Sequence, residues 1–232
     1  DVSFELHKGE ILGFSGLMGA GRTETARALF GADPKESGDI YVNGEKVTIN
    51  CPQDAVKCGI GYLSEDRKRY GVAVQKTVAE NTTMATVHQF MKGIFINRKK
   101  EAAVAQEYVD ALATKTPSVD QLVVNLSGGN QQKVIVSRWL ANDPDVLIMD
   151  EPTAGLDVEA RNEILDMLRA YIAEDESRSI LITSHISTDL ESLCDELYLI
   201  HDGKLILHEA TDAILEPVSY THLRAHETRH DL

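Results

Sequence analysis

The chain has 232 residues, 43% apolar, 26% charged and 6% aromatic, the composition of a globular domain rather than of a disordered or fibrous one. With 23 Lys and Arg against 37 Asp and Glu it carries a formal charge of −14, which argues against a nucleic-acid-wrapping surface and a nucleic-acid partner. Its three cysteines, Cys51, Cys58 and Cys194, show neither disulfide nor zinc spacing, and no run nears the roughly 18 apolar residues of a membrane span, so a membrane link would come through a partner. In chain order, Asp1–Leu6 alternates polar and apolar residues and does not begin with Met, which predicts a strand already under way and sequence upstream of it. Strand-length apolar runs follow at Ile11–Ser15, Ile40–Val42, Ile60–Leu63, Val146–Met149, Ile180–Thr183 and Leu197–Ile200. Helical periodicity over Thr23–Phe30, Gln131–Ala141 and Glu159–Ala173 separates several of them. That alternation predicts an α/β core around a mainly parallel sheet. From Thr77 to Val124 strand runs are missing, and Thr116-Pro117 marks a break, which predicts a helical subdomain inserted into the core.

Three segments carry chemistry. After the strand ending at Ser15 comes Gly16-Leu17-Met18-Gly19-Ala20-Gly21-Arg22-Thr23 and then a helix, the spacing of a phosphate loop. Its glycines let backbone N–H groups converge on an anion at a helix N-terminus; Arg22 stands where the pattern calls for Lys and offers a planar fork instead of a compact ammonium. Alone, such a turn is more often a tight structural turn than a nucleotide site. Val146-Leu147-Ile148-Met149-Asp150-Glu151 ends an apolar run in two carboxylates, at the strand edge where α/β proteins bind ligands. There Asp150 would sit beside Mg²⁺, directly or through water, and Glu151 would polarise an attacking water. Leu126-Ser127-Gly128-Gly129-Asn130-Gln131-Gln132-Lys133 is a second Ser/Gly helix opening, with N–H groups for a further phosphate.

With these residues in view, the chain resembles the ATP-binding-cassette (ABC) ATPases, in which such a signature reaches across a head-to-tail dimer to the γ-phosphate held by the opposite half. The resemblance implies a P-loop NTPase core with N-terminal antiparallel β strands, spanning residues 1–76 and 134–216, and a helical signature subdomain over 77–133. It assigns nucleotide binding to Gly16, Gly19, Ala20, Gly21, Arg22 and Thr23, and Mg²⁺ to Thr23 and Asp150. Catalysis falls to Glu151, to His185 as the switch histidine, and to Glu65 at the position that most cassettes give to Gln. Ser127, Gly128, Gly129 and Gln131 would act on the partner's ATP, with Asp157 in the loop through which the halves communicate. Leu17–Thr23, Ser64–Gly71 and Asn130–Lys133 are similar to the second nucleotide-binding half of sugar-import ATPases of the ribose, galactose or xylose type.

Beyond Asp150 the pattern changes. Ala154-Gly155-Leu156-Asp157, His185 and the run Ser184–Glu191 look more like exporter-type cassettes, over about residues 154–216. Two genes joined across the shared Asp150–Thr153 motif, or an unusual natural importer, would each account for it. Val218–Thr228 resembles a translated sequencing adapter, which makes residues 217–232 an expected non-native, disordered tail. The function implied is an ATPase subunit at the cytoplasmic face of a membrane, driving import of a simple sugar. Its partners would be a second nucleotide-binding half, transmembrane permease subunits and a periplasmic or lipid-anchored solute-binding protein. An exporter ATPase, or a regulatory half that binds ATP with little hydrolysis, are the alternatives, the latter because of Arg22 and Glu65.

Overall fold

The computed structural model describes residues 2–215. In chain order the elements are β1 (Ile11–Ser15), α1 (Arg22–Leu29), β2 (Ile40–Val42), β3 (Glu45–Val47), α2 (Pro52–Lys57), β4 (Ile60–Leu63), α3 (Val78–Thr83), β5 (Met91–Lys92), β6 (Phe95–Ile96), α4 (Arg98–Ala111), α5 (Gly128–Leu140), β7 (Val146–Asp150), α6 (Val158–Glu174), β8 (Ser179–Ser184), α7 (Ser187–Leu193), β9 (Glu196–His201), β10 (Lys204–Ala210) and α8 (Thr211–Leu215). Six strands form one sheet in the order β10-β9-β1-β8-β7-β4, parallel throughout except for the antiparallel edge strand β10.

The apolar runs become central strands because both faces of the sheet are covered, and alternate side chains feed two different cores. Leu147, Met149, Ile180 and Ile182 point to one side, where they meet Ile135 and Ile164 in one apolar cluster. Leu12, Phe14, Ile148 and Leu181 point to the other and join Ala26 and Phe30. All four of Leu147, Met149, Ile180 and Ile182 are fully enclosed, and each such side chain contributes about 1.5–3 kcal/mol through burial.

Strands from before and after Asp150 alternate in the sheet: β7 lies between β4 and β8, and β1 lies between β8 and β9. The two stretches of differing sequence character thus share one hydrogen-bonded core. The segment 77–125 is held to that core by a buried Arg. Arg138 on α5 donates to Asn81 O at 2.9 Å, Asn81 Oδ1 at 2.8 Å and Gly71 O at 2.6 Å. No carboxylate compensates its charge there, and burial pulls its pKa down to about 10.

Several elements differ from the sequence reading. The opening alternation places Phe4 edge-on against Phe14 at 5.0 Å, yet residues 2–6 join no β ladder among the described residues, since no neighbouring strand takes up their backbone groups. The antiparallel β structure near the N-terminus is the small β2–β3 hairpin instead. The stretch read as free of strands holds the two-residue strands β5 and β6, too short for an apolar pattern to show. Strand β10, largely exposed at the sheet edge, is likewise not among the predicted strands, its apolar residues being confined to the short stretch Leu205-Ile206-Leu207. The boundary expected between residues 133 and 134 falls inside α5, one continuous helix. The adapter-like run and the expected tail lie outside the described residues. No helix among the described residues is long and apolar enough to cross a membrane.

Candidate functional site

Strand β1 delivers the chain to a loop that only glycine can build at two points. Gly16 has φ 155°, and a Cβ there would meet Ile200 O at 2.4 Å. Gly21 caps α1 with φ 101° and no side-chain hydrogen bond, so the first turn of that helix has no intrinsic oxygen ligand. Leu17 and Met18 stand out into solvent at the loop's crest, 73% and 80% exposed. An open, positively polarised helix start of this kind favours an anion.

At the same sheet edge β7 ends in Asp150, which is fully buried. Its Oδ1 accepts from Thr183 Oγ1 at 2.6 Å and Thr23 Oγ1 at 3.1 Å, and its Oδ2 from Tyr62 OH at 2.9 Å. Burial is the main cause that pushes the Tyr62 phenol well above its usual value, with the Asp150 charge next, so Tyr62 remains a donor. Thr23 also points at Glu65 Oε2, 3.4 Å away at the solvent edge. Thr23, Asp150 and Glu65 therefore gather as the sequence motifs predicted, while Tyr62 and Thr183 were missed. Both sit in strands whose alternation identifies them only as core positions.

Glu151 lies beyond the strand in the left-handed region, φ 49°, a conformation that costs a non-glycine residue about 1–3 kcal/mol. That turn swings its side chain under the phosphate loop. Its Oε1 lies 2.9 Å from Arg22 Nη1 and its Oε2 2.8 Å from His185 Nδ1, with Ser184 Oγ at 3.5 Å. Arg22 and Glu151 are both buried, 6% and 3% exposed at the side chain. The N–H directions of Arg22 miss the carboxylate, so the pair is joined by charge alone. Arg22 Nε and Nη1 and Glu151 Oε1 have no hydrogen-bond partner among the described residues. The expected phosphate grip of Arg22 is thus turned onto Glu151. The two Arg22 nitrogens are buried donors that a phosphate or an ordered water would satisfy, whereas Glu151 Oε1 is an acceptor that only a donor such as water would satisfy.

The signature segment sits apart from the phosphate loop. Ser127 Oγ caps α5, accepting from Asn130 N at 3.5 Å and Asn130 Nδ2 at 2.8 Å. Ser127 and Gly129 line a small cleft with Asp157, whose own carboxylate caps α6 through Ala160 N at 2.9 Å. Gln131 does not face this cleft. Its amide donates to Val123 O and Leu126 O, both at 3.2 Å, and holds the preceding turn in place. Arg67 links the Glu65 loop to the signature, donating from Nη1 to Gly128 O at 2.9 Å. That contact spans 61 residues of sequence and leaves no trace in local pattern.

A parallel sheet with a glycine loop, an acid pair at the strand edge and a second, separate glycine helix start defines a P-loop nucleotide-binding cassette. The model of the ABC transporter family matches residues 1–154, and the chain belongs to that family. It is 51% identical over 220 residues to a Burkholderia ambifaria protein named for ribose/galactose/methyl galactoside import ATP binding, covering 94% of this chain and 42% of that protein. It is 45% identical over 206 residues to the xylose import ATP-binding protein XylG of Thermoanaerobacter pseudethanolicus, covering 88% and 40%. The chain spans about two-fifths of the length of these relatives, and the first alignment crosses Asp150. In fold, it matches a post-hydrolysis dimer of the cassette MJ0796 bound to ADP and Pi with a TM-score of 0.77 at 20% identity, covering 91% and 89% of the two chains. A nucleotide-free ATP-binding cassette gives 0.77 at 21% identity, covering 90% and 83%.

Proposed function

We propose that this chain is an ATP-binding and ATP-hydrolysing half of a membrane-peripheral importer for a simple sugar. The observation that carries the reading is the buried, under-bonded Arg22–Glu151 pair beneath the uncapped start of α1. Gly16, Gly19, Ala20 and Gly21 shape the loop that would hold the phosphates, with Arg22 supplying positive charge. Thr23 and Asp150 are the residues that would hold Mg²⁺. Among the described residues no cluster of three or more His, Cys, Asp or Glu could hold a metal alone, so the cation would arrive with the nucleotide. Bound there, it would neutralise charge between the β- and γ-phosphate oxygens.

Glu151 is the general base for the attacking water, and His185, whose Nδ1 meets the same carboxylate, orients it. Glu65 supports the water network beside Thr23. Ser127, Gly128 and Gly129 would face the nucleotide of a second half, and Asp157, in the cleft beside them, would couple the two. The γ-phosphate then bridges both halves, and its loss on hydrolysis removes contacts made only in the closed dimer. Permease subunits and a solute-binding protein complete the assembly at the cytoplasmic face of the membrane. The test is nucleotide binding and phosphate release by the chain and by Glu151→Gln. Binding retained with turnover lost supports the reading, and full turnover retained removes Glu151 from its role.

A regulatory half with little hydrolysis is favoured by one observation: Arg22 Nη1 lies 2.9 Å from Glu151 Oε1 and offsets the charge of the proposed base. Arg22→Lys separates the two readings. A gain in affinity or turnover identifies the Arg as a brake on an otherwise competent loop, and an unchanged or lower value shows that Arg is fully accommodated.

A further inference from the structure

The segment Met91–Lys100 stands out against the rest of an acidic chain. It reads Met91-Lys92-Gly93-Ile94-Phe95-Ile96-Asn97-Arg98-Lys99-Lys100, four cations and no acid, in a protein whose formal charge is −14. It folds as the β5–β6 hairpin with Met91 opposite Ile96 and Lys92 opposite Phe95, followed directly by α4. Gly93, with φ 64°, supplies the left-handed conformation of the two-residue loop, and nothing lies within 4 Å of where its Cβ would stand. The hairpin tip therefore projects outward. At its end Ile94 is 85% exposed and Phe95 73%.

A soluble surface rarely places two large apolar side chains side by side on a convex tip. The cations flank the tip. Lys92 and Lys99 are exposed and have no ion-pair partner among the described residues. Lys100 lies over the Phe90 ring and reaches Gln89 O at 3.3 Å, and Arg98 leans back onto Glu101 and Glu80. Both carboxylates engage Arg98, Glu80 pairing with Lys76 as well, and neither pairs with Lys92, Lys99 or Lys100 among the described residues. Apolar side chains at a tip with unpaired lysines behind them match the depth profile of a bilayer interface, with acyl boundary outside and anionic headgroups around it. Salt screens the acidic remainder of the protein beyond about 8 Å, so the local cations set the attraction.

We propose that the β5–β6 hairpin contacts lipid directly, inserting Ile94 and Phe95 at the headgroup–acyl boundary of an anionic leaflet, with Lys92 and Lys99 on the headgroups. The proposal rests on the membrane-peripheral setting proposed above for the cassette, but lipid contact requires neither permease nor nucleotide. Flotation of the full chain with phosphatidylcholine vesicles, with and without phosphatidylglycerol, tests it, and a fluorescent ATP analogue is titrated into the same samples. The expected result is recovery with the anionic vesicles only, abolished by high salt. Recovery falls about five-fold for each of Lys92→Ser and Lys99→Ser, and about ten-fold or more for Ile94→Ser with Phe95→Ser. In Phe95→Trp, brominated lipid should quench the added indole beyond the signal from Trp139. Equal recovery with neutral vesicles, no recovery at all, or variants that float like the parent would overturn the proposal. So would flotation only with membranes that carry the permease, which would assign the tip to a protein partner. Nucleotide binding that persists while flotation fails leaves the ATPase reading intact, and the reverse result removes that reading alone.

Discussion

Two glycine-rich turns in this chain each open a helix, and they meet the demands of the first turn in opposite ways. Helix α1 starts from Gly21 in the left-handed region with no side-chain cap, above buried Arg22 and Glu151 whose polar atoms are incompletely bonded. Helix α5 starts from Ser127 in extended conformation, capped by its own hydroxyl, with Ser127 and Gly128 exposed. The first turn has no side-chain cap of its own and would accept an external anion. The second is complete by itself and presents its glycines outward, as a surface awaiting a facing molecule would. In the function proposed above, the first turn would hold a ligand and the second would close over one, both made from the same residue types.

The largest effect separating the two should come at Glu151. Glu151→Gln is expected to lower ATP turnover about 10²–10⁴-fold with nucleotide binding retained, read by steady-state phosphate release. Removing its partner should show in stability instead. Arg22→Met leaves a buried carboxylate without its cation and should cost about 3–5 kcal/mol in urea unfolding without nucleotide. An effect below 1 kcal/mol would mean that His185 alone compensates Glu151.

The glycines sharpen the contrast. Gly21→Ala places a Cβ at φ 101° and 3.1 Å from Gly203 Cα, a loss of about 1–2 kcal/mol. Gly128 has ordinary helical φ, and a Cβ there meets only the flexible Arg67 guanidinium at 3.3 Å. Gly128→Ala should therefore unfold within about 0.5 kcal/mol of the parent, while ATP-driven dimerisation falls. Parent-like dimerisation would show that the signature glycine has no facing ligand.

A third helix start is capped from within the chain and serves as the reference for the other two. Thr77 and Glu80 form a reciprocal capping box on α3, and Thr77→Ala should cost about 1 kcal/mol. The Thr77 backbone N–H is the main cause that holds the Glu80 carboxyl below its ordinary value of 4.5. Its contribution is therefore present above pH 4.5 and lost as pH falls through the lowered value. Thr77→Ala leaves that backbone bond in place, so Glu80→Gln, not Thr77→Ala, should remove this part of the acid sensitivity.

Local pattern made much of this legible. The strands β1, β4, β7 and β8 appear as apolar runs because both faces of a parallel sheet are buried, and helix periodicity located α1, α5 and α6 to within a few residues. The phosphate loop, the acid pair and the signature were visible because each needs fixed residue types at fixed spacing. Strand β2 shows as the run Ile40–Val42, whereas edge strand β10, β3 and the β5–β6 hairpin stayed hidden, since short exposed ladders need no apolar alternation.

The sequence by itself thus determined the α/β class, the glycine-rich turn between β1 and α1 and the family of the chain. These depend on backbone freedom at glycine and on burial periodicity, which are properties of neighbours along the chain. Only the tertiary structure decided which side chains meet. Arg22 turns to Glu151 because a left-handed residue after β7 swings that carboxylate beneath the loop, 129 positions further on, with His185 closing from β8. Tyr62 and Thr183 reach Asp150 from the strands on either side of β7, and Arg138 ties α3 to the core through Asn81. Such contacts arise from strand order and register, which link residues far apart in the chain through packing that no local pattern encodes.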